Sequence, residues 1–108
     1  MGRLRVTAMM AVMAWMPAAW AQGDSTVAAA GKDLGLKWCS ECHLVARDQP
    51  TAPTDAAPSW YEIANDPSTT EAGLHAFFAT PHEQMPNIML SREETDEIIA
   101  YIQSLKSQ

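Results

Sequence analysis

The stretch KWCSECHLV, residues 37–45, holds both cysteines of the chain and constrains it more than any other feature. Cys39 and Cys42 lie three residues apart, so a disulfide between them would close a very short loop. Such a loop constrains little of the unfolded chain, and the pair is a poor staple. Read as a helical turn, Cys39 and Cys42 stand at i and i+3 and His43 at i+4, so two sulfurs and an imidazole lean toward one face.

That face suits a planar tetrapyrrole with two reactive vinyl groups. Both thiols could bond one edge, and the central iron would then lie within reach of His43. Cys-x-x-Cys-His is the attachment signal of a c-type haem. Two other chemistries use part of the same pattern. A thioredoxin-like dithiol sits at a helix N-terminus in a βαβ setting. No stretch of this chain alternates with the period of a strand, and the pair falls late in its predicted helix. A zinc site wants four ligands, most simply Cys39, Cys42 and two of His43, His75 and His82, but these histidines lack the paired spacing of finger-type sites.

The first residues read as an address. Arg3 and Arg5 precede the apolar VTAMMAVMAW, Pro17 follows, and Ala19-Trp20-Ala21 has the small-x-small form of a cleavage site. The apolar run is shorter than the roughly 20 residues of a spanning helix, and Pro17 interrupts it. We therefore expect a signal peptide over 1–21, cleaved after Ala21, and an exported, periplasmic domain over 22–108 with no membrane span. Removing 21 of the 108 residues leaves 87, and the formal charge moves from −6 to −8 because Arg3 and Arg5 leave without any acidic residue. So acidic a chain does not suit nucleic acid or anionic membrane surfaces as partners. It suits a protein with a basic docking patch.

The domain reads as all-α, small and rich in loops. Three Ser-x-x-Glu signatures mark helix starts: Ser59 with Glu62, Ser68 with Glu71, and Ser91 with Glu94. The last of these opens the clearest helix, with Ile98, Ile99, Ile102 and Leu105 as an apolar stripe and Tyr101 beside it. Its acidic first turns and Lys106 near its end match the helix dipole. A first helix is expected from about Val27 to His43. The polar, proline-punctuated segment LVARDQPTAPTDAAP then reads as a long ordered loop.

A haem iron held by one histidine takes its second axial ligand from the opposite face, and methionine is one choice. Met85 in PHEQMPNIML precedes Pro86, which biases it toward extended backbone in a loop between two helices. Met89 lacks such a neighbour and is the weaker candidate. His82 could serve instead of Met85 in an alternative state.

Together GKDLGLKWCSECH, APSWYEIA, PHEQMP and LSREETDEIIAYIQSL resemble a small monohaem class I cytochrome c of the bacterial periplasmic type. The resemblance runs from Gly31 to Leu105 with the motifs in order. It implies the cytochrome c fold, a small helical domain with long loops wrapped around one covalent haem c and its iron. It further implies thioethers from Cys39 and Cys42, axial ligation by His43 and Met85, and a hydrogen bond from the His43 ring to the carbonyl of Pro58. Gly31 would let the first helix cross closely against Ile98 and Tyr101. The chain departs from the family at Gly35, where an aromatic is common and Trp38 or Leu34 could fill the space. It departs again at Leu44, where a glycine often follows the histidine.

The activity so implied is one-electron transfer by a monomeric carrier, not enzymatic catalysis, with Leu74, Phe77, Phe78, Ile88 and Ile98 around the ring. Other readings remain: a haem subunit of a dehydrogenase complex, a ligand-binding or peroxidase-like haem protein, and a thiol–disulfide oxidoreductase. His75 reads as a partly exposed flank residue, and Trp60 and Tyr61 as packing groups.

Overall fold

The computed structural model describes residues 2, 22–80, 85 and 88–107. The span expected to be a signal peptide, other than residue 2, lies outside the described residues, as do His82 and Pro86. Four helices follow one another: α1 (Gln22–Trp38), α2 (Trp60–Asn65), α3 (Glu71–Ala79) and α4 (Arg92–Ser104). Among the described residues there is no strand, and no helix is long and apolar enough to cross a membrane.

The apolar stripe of α4 is the keel of the fold. Ile98, Ile99, Tyr101 and Ile102 are buried along it, and α4 packs against each of the other three helices. Helix α1 brings small residues to that crossing. Ala28, Gly31 and Gly35 follow at helical spacing, and both glycines are buried. A Cβ at Gly31 would overlap the Glu97 carbonyl oxygen and lie 2.9 Å from Tyr101 Cβ. The close approach to Tyr101 is as expected, and the nearest wall is the Glu97 backbone carbonyl, immediately before Ile98.

Gly35 has a second neighbour. A Cβ there would lie 2.6 Å from the ring of Trp60 and 2.9 Å from Val45 Cγ1. Trp60 is buried and stacks obliquely on Tyr101, with centroids 6.0 Å apart. The indole of α2 thus occupies the space expected for Trp38 or Leu34. Trp38 instead stands about half exposed with the Lys37 ammonium 4.8 Å from its ring.

Capping boxes form at Ser59 and at Ser91, each serine accepting from the third helical amide and each glutamate from the cap amide. The third expected box does not form. Asp66 takes both the Ser68 amide and hydroxyl into a local turn, at 2.8 and 2.7 Å, and Thr70 caps α3 by accepting from the Gly73 amide. Aspartate outcompetes because its carboxylate accepts both donors two residues on. Asn65 closes the far end of α2, donating to the carbonyls of Tyr61 and Leu105 and accepting the amide of Ser107.

Candidate haem-attachment site

Helix α1 ends at Trp38, five residues before the expected His43, yet its hydrogen bonding carries on. The Cys39 amide donates to the Gly35 carbonyl at 2.8 Å, and the Cys42 and His43 amides both donate to the Cys39 carbonyl, at 3.2 and 2.9 Å. The last of these spans four residues, as in a helix. Cys39, Cys42 and His43 therefore share one turn beyond the helix proper. Cys39 is half-buried and Cys42 exposed.

This turn forms one wall of a cavity of about 860 Å³, within the range of small-molecule sites. Cys39, Cys42, His43 and Pro58 line one side. Trp60, Leu74, Phe77, Phe78, Met85, Ile88 and Ile102 supply much of the rest of its lining. Of the apolar residues expected around the ring, Ile98 is fully buried in the core, and its place in the wall is taken by Ile102, one turn on. Met89 is 93 % exposed, whereas Met85 is half-buried in the lining.

His43 is oriented by a carbonyl. Its Nδ1 lies 2.7 Å from the oxygen of Pro58. A carbonyl only accepts, so Nδ1 is the donor, and in the neutral ring this leaves Nε2 as the nitrogen whose lone pair can bind a metal. Trp60 stands beside the imidazole, ring centroids 6.3 Å apart. Leu44 needs no glycine-like backbone, since Ser107 is the one described non-glycine residue with positive φ, and its carbonyl accepts the Trp60 amide at 3.0 Å.

The Cys39 thiol is poorly suited to redox exchange. Burial, and then the neighbouring Cys42, push the Cys39 thiol up to about 11. A nucleophilic dithiol needs a shift in the other direction, toward thiolate near neutral pH. No group of three or more metal-ligating side chains forms among the described residues, and His75 lies between Glu71 and Asp96 on α3 and α4, at 3.9 and 3.6 Å. The donor set fits haem: two thiols and one imidazole anchored through Nδ1, on the wall of a largely apolar cavity with a thioether in its lining.

The segment between His43 and Ser59 is an ordered strap, as its length and prolines suggest, but what orders it is not evident from its composition. The amide of Gln49 takes the main-chain amides of Val45 and Ala46 and donates toward the carbonyls of Ser40, His43 and Thr51. The Thr54 amide reaches back to the Cys42 carbonyl at 3.2 Å, and the Tyr101 hydroxyl donates to the Val45 carbonyl at 2.8 Å. Sequence reasoning passed over Gln49 because a lone glutamine in a polar loop looks like any solvated side chain.

The family model described as Cytochrome c matches residues 28–106. A cytochrome c-552 of Bradyrhizobium diazoefficiens is 42 % identical over 76 residues, covering 70 % of this chain and 72 % of that one. No solved structure matches significantly. The chain belongs to the cytochrome c family. It is an all-α electron-transfer protein whose cofactor is haem c with its iron, and it works with redox partners.

Proposed function

We propose that this cytochrome is a periplasmic one-electron carrier, exported by residues 1–21 and matured at Gln22, with its haem bound through Cys39 and Cys42 and its iron held by His43 and Met85. The observation that carries this reading is the 2.7 Å contact between His43 Nδ1 and the Pro58 carbonyl, made at the wall of a cavity that both cysteines and Met85 also line. When bound, the haem supplies a one-electron couple between ferrous and ferric iron.

What the chain does around it follows from its residues. The two thiols tether one edge, so the group cannot dissociate. The Pro58 carbonyl holds the imidazole in one tautomer and raises its basicity toward a metal. The Met85 thioether and the apolar walls favour the lower charge of the ferrous state. Leu74, Phe77, Phe78 and Ile102 limit water, so little need reorganise when an electron moves. The net charge of −8 expected after cleavage supports docking to partners that present a basic patch.

An alkaline pyridine spectrum and an intact mass of protein purified from the periplasm test this reading. The spectrum should show a haem with both vinyl groups saturated, and the mass should exceed that of residues 22–108 by one haem. A colourless protein, or a mass equal to the bare chain, would overturn it. Rapid carbon monoxide binding by the reduced protein at neutral pH would remove Met85 from the iron and favour a ligand-binding role.

A further inference from the structure

We infer that Gln49 is a positioning residue for the iron site, its side-chain amide holding the main chain of His43 so that the imidazole meets the Pro58 carbonyl. The inference rests on His43 being the iron ligand. Gln49 Oε1 accepts from the amides of Val45 at 2.7 Å and Ala46 at 3.2 Å. Its Nε2 lies 2.8 Å from the Thr51 carbonyl and 3.2 Å from each of the Ser40 and His43 carbonyls. The orientation is dictated by these partners, because a flipped amide would set donors against two N–H groups and an oxygen against three carbonyls. Two hydrogens serve three acceptors. Thr51 takes one, and the pair at equal distance, Ser40 and His43, shares the other.

One side chain therefore grips the attachment turn at two of its carbonyls and the strap at two amides and a carbonyl. The strap then runs on to Pro58, whose oxygen is the partner of the His43 ring. Rotating the His43 main chain by a few degrees would swing the imidazole away from that oxygen. Leu44 and Val45 tie the same segment to the Trp60 amide and the Tyr101 hydroxyl, but neither bond touches His43 or the turn before it. Thr54 also joins strap to turn, its amide and hydroxyl reaching the Cys42 carbonyl at 3.2 and 3.4 Å, but of these side chains Gln49 is the one that donates to the His43 carbonyl itself.

The consequence is electronic as well as structural. A histidine that loses its acceptor becomes a weaker donor and stabilises ferric iron less, so the potential rises. In the holoprotein Gln49→Leu should lower the ferric-to-ferrous ratio at fixed solution potential about tenfold, equivalent to a rise of about 59 mV for a one-electron couple. The His43 Nδ1 proton should exchange with solvent faster by a similar factor. Gln49→Glu keeps an oxygen to accept from the Val45 and Ala46 amides but puts a second oxygen where the N–H donors were, so it should follow Gln49→Leu in both readouts. Wild-type potential and exchange in either variant, even with a lowered melting temperature, would overturn the inference. Should neither variant mature, nuclear magnetic resonance of the native holoprotein decides. Slowly exchanging, rotationally fixed Gln49 amide protons support it, and surface-like exchange overturns it. The Nδ1 proton of wild-type protein tests the ligand reading separately, since it shows the paramagnetic shift of an iron-bound ring only if His43 is the ligand.

Discussion

Where α1 crosses α4, contact is made by the absence of side chains: Gly31 lies against the Glu97 backbone, and Gly35 leaves room for the Trp60 ring. In the strap between His43 and Ser59 contact is made by polar groups, with Gln49, Thr54 and the Tyr101 hydroxyl each taking main-chain partners. The two regions meet on the same cavity. The crossing is a matter of shape, intolerant of one added methyl group but indifferent to charge. The strap has no repeating ladder of its own, so its carbonyls and amides must be satisfied one by one. Apolar surface builds the frame, and hydrogen bonds aim the ligand.

The largest effect should come from removing what both regions enclose. Cys39→Ala with Cys42→Ala should abolish stable folding, because a chain this short needs the tethered apolar group to complete its core. Circular dichroism should show no cooperative melt. Full helix that melts cooperatively would show that crossing and strap sustain each other without it.

Gly31→Ala attacks the crossing alone. In an open helix the change would stabilise by about 1 kcal/mol. Here the new methyl meets backbone, which cannot rotate away, and a net loss of about 1–3 kcal/mol is expected from overpacking. Denaturant unfolding of the holoprotein decides the sign. A gain would mean that α1 stands off from α4.

Tyr101→Phe cuts the bond that joins the regions. It should cost about 1–3 kcal/mol by leaving the buried Val45 carbonyl without its donor. The same tyrosine sets an alkaline limit. Burial first, and then the neighbouring Tyr61, push its hydroxyl up to about 12 from an ordinary 10.0. The unfolded chain thus releases this proton earlier than the native one. The contribution is complete below pH 10 and is lost as pH rises toward about 12. Unfolding midpoints measured across that window should fall in wild type, and the part due to this residue should vanish in the phenylalanine variant.

His75→Ala should have the smallest effect, below about 0.5 kcal/mol, because exposed ion pairs contribute little. Its side chain is 41 % exposed between Glu71 and Asp96. A larger loss in thermal unfolding would show that α3 leans on polar contacts as the strap does.

The legible parts of the molecule are those governed by neighbours in the chain. Spacing alone placed Cys39, Cys42 and His43 on one turn, even though α1 ends before it, since a single i-to-i+4 bond suffices. The boxes at Ser59 and Ser91 and the stripe from Ile98 to Ile102 are local in the same sense. The box expected at Ser68 went wrong through an equally local rival, the carboxylate of Asp66. Gln49 and the partner of Gly35 were not legible, because each depends on groups from another segment.

The sequence by itself determined the motif for the cofactor, the helical class and the order of the pieces, because these follow from short-range spacing and from charge. Only the tertiary structure decided that Trp60 rather than Trp38 packs beside Gly35, that Ile102 rather than Ile98 faces the cavity, and that Gln49 grips the attachment turn. Those choices depend on which surfaces arrive at the same point in space. Periodicity within one helix cannot specify what a neighbouring segment brings to meet it.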